Sequence, residues 1–199
     1  MNDSRKVIGI DFDDILFDFM GPLISWHNDT YGTQISRDDY YSYDFSEVWK
    51  CSGQDAIARV GDFYHSEQYK TAEPIPGALQ GLEKLKDDYK FIIITARPDY
   101  LERVTKEWLE IHFTGLFDEI VFTNHYHGTG AKRLKSEICL ELGVSLFIED
   151  GLHNAIDISD AGIPVLLLDT PWNRKDAPPL ITRVYSWNEI VEKIKNTQL

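Results

Sequence analysis

The stretch "IGIDFDDILFDF" sets Asp11, Asp13, Asp14 and Asp18 inside an otherwise apolar run. Carboxylates gathered at the end of a buried strand repel one another. Asp11 and Asp13 stand at i and i+2, and alternate residues of an extended chain point the same way. Two such charges ~4 Å apart repel by about 4 kcal/mol at an effective dielectric of about 20. Either one carboxyl is protonated or a cation sits between them, and Mg²⁺, hard and oxygen-seeking, is the natural cation. Matching chemistry recurs along the chain. "ITARPD" puts Thr95 at a strand end beside backbone N–H groups, and a hydroxyl with N–H groups can hold a phosphate. Lys135 brings a point positive charge near a helix start. "FIEDGLHN" adds Glu149 and Asp150, two more oxygen donors.

These residues need a scaffold that brings strand ends together. Short apolar runs at 6–12, 91–95, 119–123, 145–149 and 164–169 read as buried strands. Helical patterns lie between them at 77–89, 100–113, 131–142 and 152–161. Strands alternating with helices imply an α/β fold, a Rossmann-like parallel sheet with helices on both faces. In such sheets the ligand crevice lies at the carboxyl ends of the strands. One segment breaks the rhythm. Residues 16–71 contain no strong strand run, read as helices at 17–31 and 54–66, and are rich in aromatics. The prolines and glycine of "EPIPGA" mark the return to the core. The expected organisation is a core of residues 1–15 and 72–199, with a small, mostly helical cap at 16–71 above the first strand's end.

Composition narrows the function classes. The chain has 199 residues, 43% of them hydrophobic, enough for one domain with a sizeable core. A formal net charge of -13 opposes binding to nucleic-acid polymers and anionic membranes. A small anion is still admissible, because local charge in a pocket can oppose the global sign. Two cysteines make no disulfide framework, the N-terminus has no apolar leader, and no run reaches transmembrane length. A cytoplasmic protein is expected. Oligomeric state is not legible.

The ordered set Asp-x-Asp, Thr, Lys, Glu-Asp resembles the haloacid dehalogenase-like superfamily. "DFDDIL" is similar to its first motif, "ITA" to its second, the Lys135 region to its third, and "ED" followed by Asn154 to its fourth. Within the superfamily the chain most resembles the 5′-nucleotidase, cytosolic deoxyribonucleotidase type. The resemblance implies a Mg²⁺-dependent phosphatase acting on a small phosphorylated substrate. Asp11 would be the nucleophile, and Asp13 the acid that protonates the leaving oxygen and then activates water. Asp11, the backbone carbonyl of Asp13, and Asp150 would hold the metal. Thr95, the N–H of Ala96 and Lys135 would bind the phosphoryl oxygens. Arg97, next in the chain, can reach substrate or form a surface ion pair. A dehalogenase needs no second aspartate, and neither Lys50 nor Lys70 lies in a pattern for the cap lysine of a phosphonatase.

Plainer readings compete at several positions. Asp11 and Asp13 can form an acidic turn or helix cap, and Lys132 competes with Lys135. Glu149 can orient water or the metal's ligands, and Asn154 can support it. Two histidines, His125 and His127, without a third ligand read as a polar loop at the crevice rim rather than a zinc site. Most cap aromatics should build the cap's own core. Phe17 and Phe19 are near enough to Asp13 to face the crevice. Two other function classes fit a similar residue set: a phospho-acceptor signalling domain and a non-catalytic binding module. The long insertion argues against the first, and the intact Asp11 and Asp13 against the second.

Overall fold

A computed structural model describes residues 5–124 and 132–196. Six strands form one sheet: β1 (Lys6–Ile10), β2 (Tyr89–Thr95), β3 (Glu119–Phe122), β4 (Val144–Glu149), β5 (Val165–Leu168) and β6 (Ile181–Val184). Their order is β3-β2-β1-β4-β5-β6, and every pairing is parallel. The strands read as continuous apolar runs because both faces are covered. Ile8, Ile10, Phe91, Ile93, Leu146 and Ile148 point to one face, while Ile92, Ile94, Phe147, Val165 and Leu167 point to the other. The first face is packed by α5 (Ala78–Glu83), α6 (Glu102–His112) and α9 (Trp187–Asn196), the second by α7 (Lys135–Glu141) and α8 (Leu152–Asp160). Gly9 leaves room for the Phe147 ring on the neighbouring strand, since a Cβ there would lie 2.4 Å from Cδ2.

Four helices lie between β1 and α5: α1 (Met20–Tyr31), α2 (Phe45–Trp49), α3 (Gly53–Phe63) and α4 (Glu67–Lys70). Their boundaries follow local chemistry. Asp44, Ser52 and Ser66 each accept a backbone N–H at the start of α2, α3 and α4. Gly32 ends α1 in the left-handed conformation. The segment leaves and rejoins the sheet through two adjacent extended stretches, in which Asp18 N–H donates to Glu73 O and Ile75 N–H to Leu16 O.

Several boundaries differ from the sequence reading. The helix expected from residue 17 begins at Met20, because Asp14 takes a positive φ of 54° and the chain turns before the helix starts. The helix expected at 54–66 is α3, which ends at Phe63, and a separate short helix, α4, starts beyond it after the Ser66 cap. Strand β6 and helix α9 were not anticipated. β6 is four residues long and half polar, with Thr182 exposed, whereas α9 carries Trp187, Ile190, Val191 and Ile194 at helical spacing. No helix of the described residues is long and apolar enough to cross a membrane.

Candidate active site

The order in which strands are added reverses at β1. From it the chain steps outward to β2 and β3, then returns to the other side for β4, β5 and β6. The crevice at this switch point lies between the carboxyl ends of β1 and β4. Asp11 follows β1, Thr95 ends β2, Glu149 ends β4 and Asp150 follows it, so three separate stretches converge there.

Lys135 is the hub of the first cluster. Its Nζ lies 2.8 Å from Asp11 Oδ1 and 2.7 Å from Glu149 Oε2, and all three side chains are buried. Burial opposes a charge on the lysine, but the two carboxylates outweigh it and hold the ammonium protonated. Lys132, its competitor in sequence, is exposed. Glu149 Oε1 also accepts from the Gly151 N–H at 3.0 Å and from Asn154 Nδ2 at 3.3 Å, so Asn154 supports the glutamate.

Asp11, Glu149 and Asp150 bring carboxylate oxygens within 4.8 Å of one another. Three carboxylates against one ammonium leave two negative charges in excess, which is the deficit a divalent cation fills. Oxygen donors alone suit a hard ion such as Mg²⁺. The same crowding favours the protonated form of two of these carboxyls where no cation neutralises them. Burial and the charge of Glu149 push Asp11 up to about 6 against the pull of Lys135. Burial, Glu149, Asp11 and Asp14 push Asp150 well above the usual carboxylate range. The Asp13 side chain is outside this group, and its expected metal contact was through the main-chain carbonyl.

Asp13 has a different partner. Arg97 donates to both its oxygens, Nε to Oδ2 at 2.9 Å and Nη2 to Oδ1 at 2.6 Å. The Asp11 and Asp13 side chains thus pair with different protein cations, Lys135 and Arg97, because β1 ends at Ile10 and the strand alternation stops there. Burial raises the Asp13 carboxyl above its ordinary value, against the lowering pull of Arg97. The arginine is 4% exposed, so the surface ion pair considered from sequence is replaced by a buried one. Its Nη1 donates to Tyr69 Oη and Thr105 Oγ1, both at 3.0 Å, and its guanidinium lies 4.1 Å from the Phe12 ring centre and 4.7 Å from that of Phe17.

Thr95 is buried, and its hydroxyl accepts the Arg97 N–H at 3.2 Å. Ala96 is half-buried and lines, with Thr123, Lys135, His153 and Asn154, a cavity of about 130 Å³. Phe17 and Phe19 do not face open crevice: Phe17 stacks on Phe12 and Phe19 meets Phe63 edge-on, both within the core. His125 and His127 lie outside the described residues.

Residues 5–199 match the family described as 5′ nucleotidase, deoxy (pyrimidine), cytosolic type C protein. The chain belongs to that family. It is a phosphoric monoester hydrolase with a haloacid dehalogenase-like fold. A nucleotidase of Clostridium acetobutylicum is 30% identical over 177 residues, spanning 82% of this chain and 80% of its own. The 5′(3′)-deoxyribonucleotidase of Bacillus subtilis is 24% identical over 193 residues, covering 96% of this chain and 99% of its own. Among solved structures, a haloacid dehalogenase-like hydrolase of Streptococcus pneumoniae superposes with a TM-score of 0.67 at 15% identity, covering 96% of this chain and 98% of its own.

Several residues at this candidate site do not figure in the sequence reading above. Tyr43, between the 3₁₀ turn Arg37–Asp39 and α2, donates its hydroxyl to Asp150 Oδ2. Trp172 Nε1 donates to the same oxygen at 2.8 Å, and Asn173 Nδ2 to the Asp150 carbonyl at 2.7 Å. Arg37 pairs with Asp14 Oδ1 at 2.9 Å and covers the Trp172 ring. Burial, Asp18 and Asp13 raise Asp14 to about 7 despite Arg37. The loop "TPWN" follows the end of β5, so the strand-end rule pointed to Trp172 and Asn173. Nothing local marked Tyr43 among ten tyrosines.

Proposed function

We propose that this chain is a Mg²⁺-dependent phosphatase that hydrolyses a nucleoside 5′-monophosphate or a closely similar small phosphomonoester through an aspartyl-phosphate on Asp11. The observation that carries this reading is the pair of acidic positions around β1. Asp11 stands in a buried carboxylate group with an excess of two negative charges, and Asp13 stands apart from it in the grip of Arg97. One position suits a nucleophile beside a cation; the other, a carboxyl that burial favours in its protonated form against the pull of Arg97, suits a proton carrier.

An Asp11 oxygen attacks phosphorus as the ester P–O bond breaks, and Asp13 gives its proton to the departing alkoxide. Water then attacks the phosphorus of the aspartyl-phosphate. Asp13 takes the water's proton, Asp11 is released as a carboxylate, and inorganic phosphate leaves. Asp11, Asp150 and the Asp13 carbonyl would hold Mg²⁺, whose positive charge would offset repulsion between the nucleophile and the anionic phosphate. Thr95, the Ala96 N–H and Lys135 bind the phosphoryl oxygens. Arg97 enters chiefly through Asp13, because its guanidinium already serves Asp13, Tyr69 and Thr105. Residues 16–71 act as the cap that chooses the substrate over a core of 1–15 and 72–199. The family's cytosolic description supports a cytoplasmic location, and the deoxyribonucleotidase name of one relative supports the nucleotide class.

Phosphate release from a panel of nucleoside 5′-monophosphates, other phosphomonoesters and an aryl phosphate, with Mg²⁺ and with Asp11→Asn as the inactive control, tests the reading. Turnover of at least one nucleotide is expected. Stoichiometric labelling from a phosphodonor without turnover would replace it with a phospho-acceptor function, and no reaction at all with a binding module.

A further inference from the structure

Asp150 is gripped from two directions that have no sequence connection. The Tyr43 hydroxyl and the Trp172 indole N–H both donate to Oδ2, while Asn173 Nδ2 holds the main-chain carbonyl of the same residue. Oδ1 receives no hydrogen bond from the described residues' donors named above. A carboxylate with two donors on one oxygen cannot swing, so its other oxygen is aimed. Trp172 and Asn173 belong to the sheet side of the molecule, following β5, whereas Tyr43 belongs to the helical segment inserted after β1. Tyr43 is 38% exposed, its ring standing edge-on to His153 and Trp172 while its hydroxyl reaches inward. Arg37 ties the same segment to the same place, pairing with Asp14 and lying over Trp172.

We infer that Tyr43 is a positioning residue for the metal site: its hydroxyl, with the Trp172 N–H, orients Asp150 for a divalent cation and makes cation affinity depend on the seating of the 16–71 segment. The inference rests on the proposed Mg²⁺ site and adds a residue to it. Outer partners of metal-binding carboxylates typically contribute about 10–100-fold in affinity. Coupling is reciprocal, so a cation on Asp150 also favours the seated arrangement of the segment that carries Tyr43.

Calorimetric titration of the full chain with MgCl₂, without substrate, is the test. Tyr43→Phe removes only the hydroxyl and leaves the ring packing, so the metal-free protein should melt within a few degrees of wild type. Its Mg²⁺ dissociation constant should rise about 10-fold or more, and the Mg²⁺-induced rise in Tm should shrink. Trp172→Phe, which removes the second donor, should weaken binding in the same direction. Wild type that binds Mg²⁺ with Tyr43→Phe equal or tighter would overturn the inference and leave the metal site standing. Wild type that binds no Mg²⁺ would remove both. A Tyr43→Phe protein that loses stability without metal but keeps its affinity marks Tyr43 as structural and also overturns the inference.

Discussion

Arg97 meets Asp13 side-on, two N–H groups on two carboxylate oxygens, with the arginine buried and the aspartate 29% exposed. The pair joins the second motif to the first across the ends of two adjacent strands, and Tyr69 and Thr105 hold the far side of the guanidinium.

Arg97→Ala removes the fixed partner and leaves Asp13 with a raised cost of ionisation. Fully buried pairs lose about 3–5 kcal/mol when one member goes. Asp13 reaches solvent, so about 2–3 kcal/mol is expected here, read from the shift of the urea unfolding midpoint. Arg97→Lys keeps the charge without the two-pronged geometry and should retain stability better while lowering kcat by about 10-fold. An unchanged kcat in Arg97→Lys would mean that the fork does not hold Asp13 in its working position.

Asp11→Asn should reduce aryl phosphate hydrolysis to background with the melting temperature within a few degrees of wild type. The amide keeps the shape and an oxygen for Lys135 but is not a competent nucleophile. Retained turnover would take the nucleophile's role from Asp11.

Metal removal and pH should act together. Asp11 and Asp14 sit at about 6 and about 7 in the folded chain, above their ordinary value of 3.8, because burial and neighbouring carboxylates oppose ionisation. The folded state then holds protons that the unfolded chain has lost, so stability falls as pH rises through these values. In EDTA the Tm should decline between about pH 4 and pH 7. A divalent ion binds the ionised carboxylates, so its stabilising effect should grow over the same range, and at about 100 times its Kd it should add about 2.7 kcal/mol. Differential scanning calorimetry with and without Mg²⁺ reads both trends. A metal-free Tm that rises with pH across that window would contradict them.

Gly9→Ala should destabilise by about 1–3 kcal/mol, because the new methyl meets the Phe147 ring at 2.4 Å between two central strands. Thermal unfolding checks this, and a stability equal to wild type would mean that the ring gives way freely.

The strand runs, their parallel arrangement and the positions of Asp11, Thr95, Lys135 and Asp150 at strand ends or a helix start were all legible in the chain. These features are local. A strand covered on both faces must be apolar at every position, and a ligand-binding parallel sheet carries its polar residues where strands stop. The helical spacing of α9 is equally legible, whereas β6 offers little apolar signal in four residues.

Which partner each charge takes was decided only by tertiary structure. Alternation gave Asp11 and Asp13 one direction, but the strand ends at Ile10, and beyond it the turn sends one carboxylate to Lys135 and the other to Arg97. Tyr43 reaches Asp150 across 107 residues of chain. No periodicity carries such a relationship, because it arises from how the inserted segment packs against the loop after β5. The sequence by itself determined the sheet and the acids at its edge; packing determined how those acids are neutralised and aimed.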